Sequence, residues 1–213
     1  MPPPAAARKL FGQSAETACR YVSLLAERAV VRGLLGPREV PRIWDRHILN
    51  CAAVAELVPP RCELVDIGSG AGLPGIVLAM LLPGARVVLL EPMLRRTAFL
   101  SECVSELGLG NVTVCRGRAE EMAGVIQADV ATARAVAPLG RLAELAVRVV
   151  RPGGLVLAMK GREADAELAG AGAVLHRLGV RGAEVVTAGH GIVEPPATVI
   201  RFLSGAGGAG GTG

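Results

Sequence analysis

A chain of 213 residues, 51% of them hydrophobic, is long enough to bury one α/β core, yet no run approaches the ~18 consecutive apolar residues of a membrane span. The formal charge of +4, with only Lys9 and Lys160 as lysines among 23 basic residues, suits phosphate and guanine partners, because guanidinium forks pair with them bidentately. Aromatic residues at 2% exclude a stacking platform for single-stranded nucleic acid, and five scattered cysteines match no metal or redox spacing.

Residues 1–13 are Pro-rich and basic without periodicity and read as a disordered arm, with no secretion signal. A helix is expected from Ser14, which can cap it, with Tyr21, Leu24, Leu25 and Val31 as its apolar stripe. After a turn-rich stretch, Val40 to Cys51 reads as a second helix with Pro41 in its first turn. It carries Ile43, His47 and Asn50 along one side and Arg42, Arg46 and Asn50 along another. Residues 14–60 thus form a helical cover ahead of the first strand.

Leu64-Val-Asp-Ile is a strand, and the chain then breaks into Gly68, Gly70, Gly72 and Gly75 before an apolar helix. Glycines at such a turn adopt positive φ and bring the backbone close to a ligand, at the strand end where open α/β sheets bind small molecules. The glycines alone leave two cofactors open. Gly70-x-Gly72-x-x-Gly75 fits a dinucleotide, whereas Gly68-x-Gly70-x-Gly72 with Asp66 two residues ahead fits S-adenosylmethionine (SAM). In either case Glu91, ending the next apolar strand, can hold ribose hydroxyls.

Strands follow near 63–67, 86–91, 112–115, 129–133, 155–159, 184–189 and 197–203, and helices near 75–82, 94–107, 139–149 and 163–178. The last two strands are joined by a connection too short for a helical crossover and should pair antiparallel. The expected fold is therefore a Rossmann-like class I SAM-dependent methyltransferase. Its seven-stranded, mostly parallel sheet has an antiparallel last strand, and one domain spans 14–204. The Gly-rich tail, 205–213, reads as disordered.

Arg46-His-Ile-Leu-Asn, Asp66-Ile-Gly-Ser-Gly-Ala-Gly-Leu-Pro-Gly, Leu90-Glu-Pro with Arg95-Arg-Thr-Ala-Phe-Leu, Arg116-Gly-Arg-Ala-Glu-Glu, Thr132-Ala-Arg-Ala-Val-Ala-Pro-Leu and Ala158-Met-Lys-Gly occur in this order. Over residues 20–203 the chain resembles the RsmG (GidB) family of bacterial 16S ribosomal RNA guanine-N7 methyltransferases. It departs in Asn50 and Glu91, where the family often has Asp. The resemblance implies SAM as cofactor, contacted through Gly68, Leu73, Ala119, Glu120 and Arg134. The reading of the turn adds Gly70, Gly72 and Glu91, with the turn's N–H groups facing the methionine part. It further implies a guanine in a decoding-region loop of 16S rRNA, free or in the small subunit, as target.

Guanine N7 carries a free lone pair, so no general base is expected and no catalytic residue is assigned. Arg46, His47, Arg95, Arg96, Lys160 and Arg162 are the expected RNA-facing set, with Arg38 and Arg42 behind them. A cytoplasmic monomer without metal or membrane contact is expected. An NAD-dependent oxidoreductase would want a Tyr–Lys, His or Cys group near the cofactor, and the sole tyrosine, Tyr21, lies far upstream. A non-catalytic assembly factor would have no need of the intact glycine turn and Glu91.

Overall fold

The computed structural model describes residues 2–205. Seven strands form one sheet in the order β3-β2-β1-β4-β5-β7-β6: β1 Glu63–Ile67, β2 Arg86–Glu91, β3 Val112–Arg116, β4 Ala128–Arg134, β5 Val150–Lys160, β6 Arg181–Ala188 and β7 Ala197–Leu203. β7 runs antiparallel to both β5 and β6, and the pairs from β3 through β5 are parallel, so β7 alone is reversed. The inner strands are continuous apolar runs because helices cover both faces. Helices α4 (Gly75–Leu81) and α5 (Leu94–Leu107) cover one face together with the N-terminal segment, and α6 (Leu139–Val149) and α7 (Ala164–Arg177) cover the other. α5 stops at Gly108, whose left-handed φ of 65° ends the helix without steric cost.

The N-terminal segment differs from its sequence reading in three respects. The stretch read as a disordered arm contains helix α1 (Ala5–Phe11), which buries Ala7 and Phe11 in the core. Small alanines and one phenylalanine suffice to anchor it, a signal too short to show as periodicity. Ser14 does not cap helix α2 (Ala15–Leu24); its hydroxyl donates instead to the Met80 carbonyl, 3.1 Å away. Beyond α2 the chain widens into a π-helical turn, Leu25–Ala29. The extra residue rotates the stripe, leaving Val31 86% exposed although it was expected inside.

The second cover helix is likewise irregular. A 3-10 turn, Pro37–Arg42, runs into a π-helical segment, Ile43–Leu49, and then into α3, Asn50–Ala53. The proposed tail lies outside the described residues save for Gly205. Among the described residues no helix is long and apolar enough to cross a membrane.

The chain travels outward from β1 to β3 and returns to β4, so the crevice at the carboxyl ends of β1 and β4 is the switch point of the sheet.

Candidate active site

On the β1 side of that crevice lies the glycine turn. Gly68, Gly70 and Gly72 have φ of 65°, 59° and 97°, values that L side chains rarely adopt. Their surroundings separate their roles. A Cβ on Gly70 would meet nothing nearer than its own turn, Gly68 O at 3.8 Å, so this position faces open space. On Gly72 it would lie 2.5 Å from Ile76 Cδ1, and on Gly75 2.3 Å from Leu89 Cδ2. Gly72, expected at the cofactor, is thus buried and serves close packing, whereas Gly68, Gly70 and Leu73 stay partly accessible.

The turn is tied down from beneath. Gly68 and Ser69 N–H donate to the Leu90 carbonyl, and Gly72 and Leu73 N–H to the Ser69 carbonyl. Gly70 N–H donates to Glu91 Oε2 at 3.0 Å. These N–H groups, expected to face the methionine part of the cofactor, are therefore used within the protein, because the turn closes onto β2 and onto itself.

Glu91, only 1% exposed, accepts from Met93 N–H through Oε1, 3.0 Å away, and lies 3.6 Å from Arg96 Nη1. Each carboxylate oxygen keeps a further lone pair for a ribose hydroxyl. Arg96 accordingly stands beside Glu91 with its side chain still partly exposed, and Arg95 is exposed at the start of α5. Asp66 is fully buried and accepts from Gly75 N–H at 3.1 Å and the Thr132 hydroxyl at 3.2 Å. Burial outweighs these bonds and pushes its carboxyl up to about 7. After β3, Ala119 is buried and Glu120 pairs with Arg141.

On the β4 and β5 side a cavity of about 1120 Å³ opens, lined by Arg42, Asp45, Arg46 and Asn50 of the cover, residues 134–138, residues 159–163, Glu167, Glu194 and Pro195. Its floor is the loop after β4. Ala135 there has φ of 54°, the single non-glycine residue with positive φ among the described residues. Val136 packs over Gly68, where an added Cβ would come within 2.9 Å of Cγ2. Cavity and turn therefore share one wall.

Lys160, expected to face RNA, lines the cavity with its ammonium group engaged within the protein. Its ammonium group donates to the Ala137 carbonyl at 3.0 Å and to Glu167 Oε2 at 2.6 Å, and that same oxygen accepts the first N–H of α6, from Leu139. Lys160 and Glu167 thus pin the loop.

His47 is likewise taken up internally. It is 7% exposed, and its Nδ1 lies 2.6 Å from Arg134 Nη2. A guanidinium only donates, so Nδ1 accepts and the Nε2–H donates to Glu39 Oε2 at 2.8 Å. Burial, then the Arg134 charge, holds this histidine below its ordinary pKa, while its hydrogen bond lowers that of Glu39. Arg134 also reaches Cys51 Sγ at 3.2 Å and the Arg46 carbonyl at 3.3 Å, binding the cover to the end of β4. Of the expected RNA-facing set, Arg46 and Arg162 line the cavity and are exposed. Asp45, Asn50 and Glu194 were not anticipated there. Asn50 shares its helix side with Arg42 and Arg46, as the spacing predicts, but nothing local in the sequence brings the β6–β7 connection, with Glu194, to the same cavity.

An open glycine, a buried acid ending the neighbouring strand and a single reversed strand in a seven-stranded sheet define a class I SAM-dependent methyltransferase, and the residues present fit that cofactor. Solved structures share the fold: a precorrin-6y C5,15-methyltransferase from Geobacter metallireducens (TM-score 0.54, 19% identity, covering 80% of this chain and 90% of that one) and a mutant of MtNAS in complex with S-adenosylmethionine (TM-score 0.59, 21% identity, covering 93% and 76%). The family model described as rRNA small subunit methyltransferase G matches residues 14–193. Proteins named ribosomal RNA small subunit methyltransferase G are similar throughout. That of Thermobifida fusca is 54% identical over 199 residues, covering 93% of this chain and 84% of the relative, and that of Streptomyces avermitilis is 53% identical over 201 residues, covering 94% and 84%. The chain belongs to the rRNA small subunit methyltransferase G family.

Proposed function

We propose that the protein transfers a methyl group from SAM to N7 of a guanine in a decoding-region loop of 16S rRNA, in the cytoplasm. The observation that carries this reading is the adjacency of an open glycine turn and an arginine-lined cavity across the single wall formed by Val136. Gly68, Gly70 and Leu73 line the cofactor's side, Glu91 takes the ribose hydroxyls, and Ala119 and Glu120 flank the adenine. Arg134 is proposed to act on the cofactor's carboxylate while staying anchored to the cover.

When bound, SAM supplies a methyl group activated by a sulfonium sulfur. Guanine N7 offers its own lone pair, so no side chain has to remove a proton, and the protein's work is alignment. Asp45, Glu163 and Glu194 at the cavity provide negative charge where the methylated base becomes positive. The N7 edge faces the deep, narrow major groove in A-form RNA, so the target is a loop or extruded base. Arg42, Arg46 and Arg162 then meet phosphates.

The test is incubation of the protein with labelled SAM and small ribosomal subunits from cells lacking the gene, followed by mass mapping of 16S rRNA. One N7-methylated guanine in a decoding-region loop is expected. Label on another base, or on none, overturns the proposal.

A further inference from the structure

Tyr21 is fully buried on α2, far from the glycine turn in sequence, yet its hydroxyl donates to the Ala71 carbonyl at 2.8 Å. Ala71 sits between two glycines with positive φ, and the absence of a Cβ on Gly72 makes room for the phenol, since a Cβ there would lie 2.9 Å from the Tyr21 hydroxyl. The other ties of the turn come from the β1–β2 unit itself: Leu90 and Ser69 carbonyls take its N–H groups, and Glu91 takes Gly70 N–H. Tyr21 supplies a tie from the N-terminal cover.

We infer that Tyr21 is a positioning residue for SAM, holding the Gly70–Gly72 backbone in the shape that receives the cofactor. The inference rests on the reading of the Gly68–Gly75 turn as the cradle. Burial pushes the phenol well above its ordinary pKa, so it stays a donor through the working pH range. Replacing it by phenylalanine keeps the ring in its packing and leaves the Ala71 carbonyl without this donor, so the turn gains conformations that SAM must select against.

The experiment is calorimetric titration of the full chain with SAM, together with thermal melting and steady-state kinetics, for Tyr21→Phe, Val22→Ala and Gly70→Val. Val22 is equally buried on the same helix, and its side chain cannot hydrogen-bond to the turn. Tyr21→Phe is expected to weaken SAM about five-fold and raise its KM by a like factor, with kcat at saturating SAM and RNA affinity unchanged. Val22→Ala is expected to lower Tm and leave SAM affinity intact. Wild-type SAM affinity in Tyr21→Phe, or an equal loss in Val22→Ala, overturns the inference while leaving the cradle reading in place. Normal SAM binding by Gly70→Val removes the cradle reading and this inference with it.

Discussion

The turn after β1 and the cavity beyond β4 and β5 lie side by side, joined at Val136, but they are built from different materials. The turn is backbone, shaped by glycine conformations and fixed by buried partners: Glu91, Asp66, Tyr21 and the Leu90 carbonyl. The cavity is side chain, a mixed field of arginines and carboxylates drawn from the cover, from β4, from β5 and from the β6–β7 connection. A small, invariant cofactor is suited by a rigid backbone surface. A large folded RNA is suited by long, solvated charges that adapt to phosphate positions. The two surfaces should therefore respond differently to substitution, the first in SAM affinity, the second in RNA affinity and its salt dependence.

The largest effect separates glycines within the turn. Gly70→Val places a β-branched side chain at positive φ in the open space of the cradle, and SAM binding should fall more than about a hundred-fold in titration while the fold survives. Gly75→Ala should instead cost stability, about 1–3 kcal/mol in denaturant unfolding, because its Cβ collides with Leu89 and Asp66. Equal loss of stability in both variants would erase the distinction between the facing and the packing glycine.

Glu91→Ala comes next. It frees the N–H groups of Gly70 and Met93 and removes the acid proposed to take the ribose hydroxyls, so SAM should weaken by about 1–3 kcal/mol with RNA affinity unaltered. Unchanged SAM titration would make Glu91 a brace for the turn alone.

Asp66 gives a smaller, pH-dependent effect. Its carboxyl is raised to about 7 in the fold against an ordinary 3.8, so the folded state binds the proton more tightly. The stability this contributes is fully present below about pH 3.8 and is lost as pH rises through about 7. Asp66→Asn can still accept from Gly75 and face Thr132, so its unfolding free energy should decline less than that of the wild type between those values. Parallel pH curves would show that Asp66 is not held in this way.

The same contrast explains what could be read from the sequence. The strands and the four helices packed on the sheet lie close to their expected places, because apolar runs and glycine breaks are local signals, except that β5 starts at Val150 rather than at 155. The glycine turn itself was legible for the same reason: its positive φ values at Gly68, Gly70 and Gly72 and its closure onto Glu91 follow a local pattern. The packing at Gly72 was not legible, because a glycine pattern does not say whether a missing Cβ makes room for ligand or for Ile76 and Tyr21. The cavity was only partly legible. His47 and Lys160 were expected at the RNA, but their hydrogen-bonding groups are engaged by Arg134, Glu39, Ala137 and Glu167, partners distant in sequence or set by loop geometry. Arg96 was drawn to Glu91, and the π-helical turns of the cover shifted phases that a 3.6-residue period could not foresee.

The division between backbone cradle and side-chain cavity is tested most directly by one variant, Arg42→Gln combined with Arg46→Gln and Arg162→Gln, assayed for SAM and for 16S rRNA affinity across a salt series. SAM affinity is expected to match the wild type. RNA binding should weaken for matched and unmatched sequences alike, with the salt slope reduced by about 1 for each lost contact. Weakened SAM binding together with an unaltered RNA salt slope would contradict the account.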